Sequence, residues 1–226
     1  GTRVLPCNVK KYVFNDINLT NQEQIFAGTN EGFDEIWWFY PSADSDTNDR
    51  YVVYNYMQKI WYYGTIARTA WLDSGIRDFP VAATNTKNLV LHESGLDDAE
   101  TATTSAISAS ITSAQFDLDD GHKFMLISRM LPDISFEGST ADSPVVTMSM
   151  SALQNSGSGF NDPLSESGNS SGTVTRTASS PVEKFTDQIF LRVRGRQVSF
   201  KIESSSTGIA WQLGSPRIDM RPDGRR

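Results

Sequence analysis

The hydrophobic pattern is densest in residues 34–71, where short apolar runs alternate with polar turns. Residues 35–40 and 50–56 are rich in aromatic and β-branched side chains, which favour strands. Each run ends at turn or polar residues rather than at helix caps. The first run is apolar without alternation, so both of its faces should be covered. Pro41 ends it, because proline cannot donate to a ladder. With residues 61–65 as a third strand, the pattern predicts an antiparallel meander.

The sequence pattern of short strands separated by turns continues up to about residue 95. Further strands are predicted at residues 9–14, 25–29, 80–84 and 89–92. Strands of this length with regular turns fit the blades of a propeller or a comparable stack of sheets. A blade takes roughly 40 to 45 residues, so fewer than three fit here. Residues 1–95 are therefore predicted to form an incomplete propeller-like or stacked-sheet region, part of a longer polypeptide or completed by another chain.

The composition changes near Gly95. Residues 96–106 are first acidic and then small and hydroxylated, which indicates a linker or edge segment. Beyond it, apolar and polar residues alternate again around residues 107–111 and 145–150, as expected for half-buried strands. Residues 96–226 are predicted to form a β-sandwich-like domain, so the whole chain is predicted to be all-β.

Residues 154–181 contain few apolar side chains. Loops of this length inside compact domains are usually functional or disordered. The segment is therefore predicted to be a long flexible loop or arm, which in an assembly could lie on a neighbouring subunit.

The apolar phase of the last long strand region changes at Gly195. Apolar residues occupy odd positions before it and even positions after it, up to Ile202. Because strand side chains alternate strictly, the change requires a bulge or a turn. Arg192 and Arg194 then share one face, and Arg196 lies just beyond. We consider two interpretations, a solvated face balanced by nearby acids and a subunit contact, since arginine forms bidentate pairs with carboxylates.

The charge distribution limits the possible partners. The chain carries a net charge of −7, whereas non-specific nucleic-acid binders are usually basic. A channel through which DNA slides without sticking is still compatible with this charge. Residues 187–226 hold eight Lys or Arg against four Asp or Glu, a net +4, so the rest carries −11.

No catalytic or cofactor motif stands in a suitable context. The G-x-S-x-G match at residues 168–172 lacks the preceding buried strand and following helix of a nucleophile elbow. His92 and His122 are the two histidines, and both are interpreted as surface or hydrogen-bonding residues. The single Cys7 cannot form an internal disulfide. No run of eighteen apolar residues predicts a membrane span. We predict no enzyme activity and no cofactor.

The acidic loop at residues 42–49 is the nearest approach to a metal motif. Asp44, Asp46 and Asn48 open a D-x-D-x-N pattern, but Asp49 stands where a calcium loop needs glycine. Its twelfth position, which needs glutamate, is Asn55. No metal site is predicted.

Three segments together resemble one known family. EIWWFYPS followed by an acidic loop, DRYVVYNY and RTAW is similar to the blade repeats of tail-nozzle proteins of short-tailed bacteriophages, also described as packaged-DNA stabilisation proteins of the tail hub. RMLPDISFEG in the middle and LRVRGRQVSFKIESSSTGIAWQLGSPRIDMRPDGRR at the end are similar to the same group. The three segments cover roughly half of the chain in the expected order.

The resemblance implies a structural protein of the virion tail. It implies a homo-oligomeric ring, most simply a hexamer, that retains packaged DNA and conducts it during ejection. Its neighbours would be the tail adaptor and tail fibre or spike proteins, with double-stranded DNA in transient passage. Under this hypothesis Asp44, Asp46 and Asp49 line the lumen, where carboxylates repel phosphates, and Arg192, Arg194 and Arg196 contact a neighbouring subunit.

Two alternatives belong to other classes. One is a glycan-binding or glycan-cleaving tail protein, which exposed Trp37, Trp61 or Trp71 in a groove would favour. The other is a head-to-tail adaptor or tail-tube protein without a propeller.

Overall fold

The computed structural model describes residues 4–119, 121–155 and 177–224. Strands make up 46% of the chain and helix 8%, in several antiparallel sheets, which confirms the all-β prediction. The chain divides into two compact units, Gly1–Gly95 and Leu96–Arg226, at the point where the composition changes.

The first unit is built on a four-stranded antiparallel sheet in the order β1–β2–β3–β4. Its strands are β1 (Phe26–Asn30), β2 (Glu35–Tyr40), β3 (Arg50–Asn55) and β4 (Ile60–Thr65). The predicted meander is therefore present, with one strand added before it. A second sheet has the order β5–β6–β7 and consists of β5 (Ala70–Leu72), β6 (Val81–Ala83) and β7 (Leu89–Leu91).

The prediction of a strand at residues 9–14 is wrong. The helix α1 (Lys10–Asp16) occupies this segment, followed by 3₁₀ turns at Leu19–Gln24 and, after β1, at Glu31–Phe33. None of the α1 residues is buried. Tyr12 of α1 stacks on Tyr63 of β4 with ring centres 4.0 Å apart. Tyr12 thus contacts the sheet through its ring instead of pairing as part of a strand. A local sequence pattern does not distinguish these two roles of an aromatic residue.

The second unit contains two larger sheets and several short strands. The larger strands are β10 (Ala109–Thr112), β12 (Met125–Leu131), β14 (Val145–Leu153), β15 (Thr177–Glu183), β16 (Ile189–Gly195), β17 (Gln197–Ser204) and β19 (Arg217–Pro222). The shorter ones are β8 (Asp97–Asp98), β9 (Ser105–Ala106), β11 (Phe116–Asp117), β13 (Ile134–Ser135) and β18 (Gln212–Leu213).

The two larger sheets of the second unit share one apolar core. One has the order β10–β17–β14–β15, with β11 also on β17, and the other the order β16–β12–β19. Inward side chains of both sheets form a single buried cluster, including Met125, Met148, Val193 and Ile202. This is the arrangement of a sandwich, in which alternate residues of two facing sheets interdigitate.

The predicted arm at residues 154–181 is wrong at its C-terminal end. Residues 177–181 belong to β15, which pairs antiparallel with β14. Hydroxyl pairs support this register, because the Ser149 and Ser179 oxygens lie 2.9 Å apart and those of Ser151 and Thr177 lie 2.7 Å apart. Low apolar content was a poor guide, since edge strands are often polar. Residues 156–176 lie outside the described residues.

The phase change at Gly195 is a passage between the two sheets. β16 ends at Gly195 in one sheet, and β17 begins two residues later in the other. The Arg196 amide donates to the Leu153 carbonyl at 2.9 Å. A Cβ atom on Gly195 would lie 2.8 Å from both the Ala152 Cβ and the Leu153 carbonyl oxygen. Glycine is needed here because the chain passes against the neighbouring strand.

Candidate functional site

Two of the three predicted arginines, Arg192 and Arg194, lie in the sheet β16–β12–β19. Side chains of β16 alternate strictly between buried and exposed, and Arg192 and Arg194 both occupy the exposed side. Arg196 follows the strand and is half-buried. Its Nη1 donates to the His122 carbonyl. The three side chains therefore have different surroundings, and two of them lie on a common sheet face.

The register of the sheet adds three arginines to this face. Arg221 and Arg194 flank β12 in one row, and Arg129 and Asp219 are partners in another. We define the basic face by its charged members: Arg129, Arg192, Arg194, Arg217, Asp219 and Arg221. Local spacing in the sequence does not predict that Arg129, Arg217 and Arg221 join this face, because pairing between distant strands cannot be read from it. The charged residues at odd positions 217, 219 and 221 were the available signal.

Part of the charge on the basic face is neutralised within the chain. Both Nε and Nη2 of Arg129 contact the Asp219 carboxylate, at 2.7 and 2.5 Å. Arg194 pairs with the Asp223 carboxylate at 2.5 Å and also donates a hydrogen bond to the backbone carbonyl of Asp223. The guanidinium of Arg194 lies 4.3 Å from the centre of the Phe124 ring. Among the described residues, no carboxylate pairs with Arg192, Arg217 or Arg221.

The acidic loop joins β2 to β3, and its three predicted carboxylates differ in their contacts. The Asp49 carboxylate accepts from the Ser42 amide at 2.7 Å and from the Ser42 hydroxyl at 2.8 Å. It also lies 3.4 Å from Nη1 of Arg50. Asp46 accepts from the Asn21 side chain at 3.1 Å. Asp44 is exposed. Asp49 therefore closes the loop, while Asp44 and Asp46 extend to solvent.

Trp37 lies at the centre of an aromatic stack between the two sheets of the first unit. Its ring centre lies 4.7 Å from that of Tyr51 and 5.4 Å from that of Trp71. Trp37 is only 7% exposed. Trp71 is half-buried, and its indole nitrogen donates to the Thr29 carbonyl at 2.7 Å. These rings are packed scaffolding, and neither offers an open platform for a sugar.

The half-buried Trp61 lies on the other face of the first sheet. Its ring lies 4.6 Å from that of Tyr54 and 5.7 Å from that of Trp38. Its indole nitrogen donates to the Pro6 carbonyl at 2.8 Å. The segment preceding α1 therefore fixes this ring in place.

A buried carboxylate, Glu35, lies beside the aromatic stack. It accepts from the Trp37 indole at 2.8 Å, from the Asn30 amide at 3.3 Å and from the Tyr62 hydroxyl. Burial, followed by this contact, raises the pKa of Tyr62. Glu35 is 8% exposed. A carboxylate enclosed by three donors holds the sheet together and cannot reach a substrate in solvent.

Two titratable residues after β7 lie against this region. The Asn30 amide also donates to Glu93 at 3.2 Å, so one side chain joins the Glu35 and Glu93 carboxylates. Burial and then the charge of Glu35 raise the pKa of Glu93, and the Asn30 bond opposes that rise. His92 accepts from Nε of Arg68 at 2.8 Å. Burial and then the charge of Arg68 lower the pKa of His92 to about 4.

The second sheet of the first unit has one covered and one open face. Trp71, Ala82 and Val90 form one cross-strand row, and none of the three is exposed. The opposite side, which we call the apolar outer face, consists of Ala70, Leu72, Val81, Ala83, Leu89 and Leu91. Leu72, Leu89 and Leu91 are 54%, 79% and 57% exposed. Soluble monomers rarely leave a continuous apolar sheet face open, so such a face indicates an interaction surface.

Comparisons with known proteins find no matching family model and no matching curated protein. In the described part of the chain, no helix has the length and apolar character to cross a membrane. No three His, Cys, Asp or Glu side chains of the described residues form a group that could hold a metal ion.

Proposed function

We propose that this chain is a structural subunit of the tail of a short-tailed bacteriophage. It forms part of a homo-oligomeric nozzle or hub ring, most simply a hexamer, that retains packaged DNA and conducts it during ejection. Its work is mechanical, with no enzymatic step. The tail adaptor and the fibre or spike proteins are its neighbours in the virion, and double-stranded DNA passes through it transiently.

The apolar outer face is the observation that carries this proposal. All six side chains on this face are apolar, and three of them are more than half exposed. Face-to-face packing of sheets about 10 Å apart is the ordinary way to cover such a surface. The first unit already packs one sheet on another through Trp37 and Trp71. A further sheet on the outer face continues a propeller-like stack, either within a longer chain or between subunits.

The acidic loop supports the conducting role. Asp44 and Asp46 extend to solvent, so lumen-facing copies repel the phosphates of passing DNA. Asp49 has a different part, because its carboxylate closes the loop on Ser42. The buried Trp37 and the hydrogen-bonded indoles of Trp61 and Trp71 support a scaffold rather than a glycan-binding surface. No contact in the described residues favours the glycan alternative.

The experiment compares Leu89→Asp with Leu19→Asp. Both leucines are exposed, at 79% and 59%, but Leu19 lies in a 3₁₀ turn and is not part of the outer face. Phage particles are complemented with each variant, and the fraction of nuclease-sensitive DNA is measured. We expect Leu89→Asp to reduce incorporation into tails and to release DNA, because a buried carboxylate disfavours sheet packing. Leu19→Asp should behave as wild type.

Two results would contradict the proposal. One is normal incorporation and DNA retention with Leu89→Asp. The other is a purified wild-type chain that hydrolyses a host-surface glycan and has no effect on DNA retention.

A further inference from the structure

We propose that the basic face is a docking surface for a carboxylate-rich surface on a second copy of this chain. The inference deepens the proposed ring and rests on it, since it supplies a contact between subunits. It extends the predicted contact of Arg192 and Arg194 to Arg129, Arg217 and Arg221 on two neighbouring strands.

The unequal neutralisation of the arginines is the first argument. Asp219 and Asp223 engage Arg129 and Arg194 within the chain. Arg192, Arg217 and Arg221 have no carboxylate partner among the described residues. The internal pairs hold the centre of the face in a fixed geometry, and the remaining guanidinium groups present donors for bidentate contact with carboxylates.

The composition of the face favours a protein over nucleic acid as the partner. All five cations are arginine, and none is lysine. Apolar Leu126 and Leu131 lie in the same rows, and Phe190, 75% exposed, is the register partner of Arg129. Arginine and aromatic residues are enriched in protein interfaces, whereas lysine is depleted. Phosphate contacts alone would not require an exposed phenyl ring.

The charge balance indicates a second copy. With Asp223, which pairs with Arg194, the face holds five arginines and two aspartates, a net +3, so the remainder of the chain carries −10 to give −7 in all. Another copy therefore offers acidic surface that this face can contact. In such a contact the basic face of one copy binds a different, acidic surface of the next copy. Such head-to-tail contacts generate rings when the rotation closes.

The first experiment measures self-association by sedimentation. The triple variant Arg192→Glu, Arg217→Glu and Arg221→Glu is compared with the control Lys10→Glu, Lys11→Glu and Lys59→Glu. The control changes the net charge by the same amount at exposed lysines elsewhere. We expect the arginine variant to associate about 30-fold more weakly or worse and the control to match wild type. Raising the salt concentration should weaken wild-type association.

The second experiment locates the contact without reversing any charge. Arg217→Lys places an amine on the face, and a carbodiimide joins amines to contacting carboxylates. Mixed light and heavy isotope-labelled copies distinguish cross-links between chains from those within one chain. We expect a new link between residue 217 of one copy and an Asp or Glu of another.

Three outcomes would overturn the inference. The first is equal association of the arginine variant and wild type. The second is the absence of any inter-chain link from residue 217. The third is binding of duplex DNA that the arginine variant abolishes while association is unchanged. The Leu89→Asp variant separates this inference from the proposed function. If Leu89→Asp releases DNA but the arginine variant still associates normally, only the docking surface is refuted.

Discussion

Trp71 lies directly across Gly28, so its indole occupies the space that a side chain at residue 28 would need. A Cβ atom there would be 2.4 Å from Cδ1 of Trp71. The indole nitrogen donates to the carbonyl of the next residue, Thr29. This contact fixes the second sheet of the first unit on the edge strand β1.

Gly28→Ala should therefore destabilise the first unit by about 1–3 kcal/mol, because the added methyl group displaces Trp71 from the aromatic stack. Gly32→Ala is the matched control, since nothing lies within 4 Å of its Cβ position. Four of the five tryptophans belong to residues 1–95, so fluorescence during denaturant unfolding reports mainly on this unit. Equal midpoints for the two variants would show that Trp71 is not held by this contact.

Much of the fold could be predicted from the sequence, because the meander of β2, β3 and β4 and the phase change at Gly195 follow from local side-chain periodicity. Contacts between segments that are distant along the chain could not be predicted from the sequence. One such pairing joins the polar strand β15 to the apolar strand β14, which lies far from it in the sequence, and the helix at Tyr12 is held by a ring on β4. Local pattern carries no information on either contact.

The candidate sites show the same division. Arg192 and Arg194 share a face as their spacing predicted, but Arg129 and Arg221 join them only through strand register. The acidic loop was located correctly as a connection between two strands, yet the engagement of Asp49 by Ser42 depends on how the loop closes. Whether Asp44 and Asp46 face a lumen stays a prediction.

Asp49→Asn should destabilise the first unit by about 1 kcal/mol, because the carboxylate accepts two bonds from Ser42 and pairs with Arg50. Asp44→Asn is the control and should lie within about 0.5 kcal/mol of wild type, since Asp44 is exposed. Denaturant unfolding measures both. A larger loss for Asp44→Asn than for Asp49→Asn would contradict the assignment of Asp49 as the residue that closes the loop.

Phage particles that carry the double variant Asp44→Asn and Asp46→Asn test the conducting role. The two substitutions remove negative charge from the loop and leave Asp49 unchanged. Tails should assemble normally, because both side chains extend to solvent. DNA ejection should be slower, because lumen walls with less negative charge hold phosphates longer. Ejection kinetics followed by dye release measure the effect. Unaltered kinetics would place this loop outside the lumen.

His92 should make the first unit less stable in acid. Its pKa is lowered to about 4 by burial and by the charge of Arg68, against an ordinary value of 6.5. The neutral imidazole is the form that the fold accommodates, so its stabilising contribution is complete above pH 6.5 and is lost as the pH falls from 6.5 towards 4. His92→Gln should flatten the pH dependence of unfolding in that interval. His122→Gln, which lies in the second unit, is the control and should leave the unfolding of the first unit unchanged.

Glu93 should act in the opposite sense, because its pKa is raised above the ordinary value of 4.5 by burial and by the neighbouring Glu35 charge. The protonated carboxyl is favoured in the fold, so its contribution is complete below pH 4.5 and is lost as the pH rises through the raised pKa. Asn30 donates to both carboxylates, and the Tyr51 and Tyr62 hydroxyl groups face the same cluster.

Glu93→Gln removes the charge and keeps an acceptor for Asn30. Its free energy of unfolding should exceed that of wild type at pH 7 and approach it near pH 3.5, where wild-type Glu93 is protonated. Denaturant unfolding at both pH values measures the difference, with Glu23→Gln, which lies outside the Asn30, Glu35 and Glu93 cluster, as the control. If Glu93→Gln is less stable than wild type at pH 7, the Glu93 carboxylate stabilises the sheet through Asn30 more than the Glu35 charge opposes it.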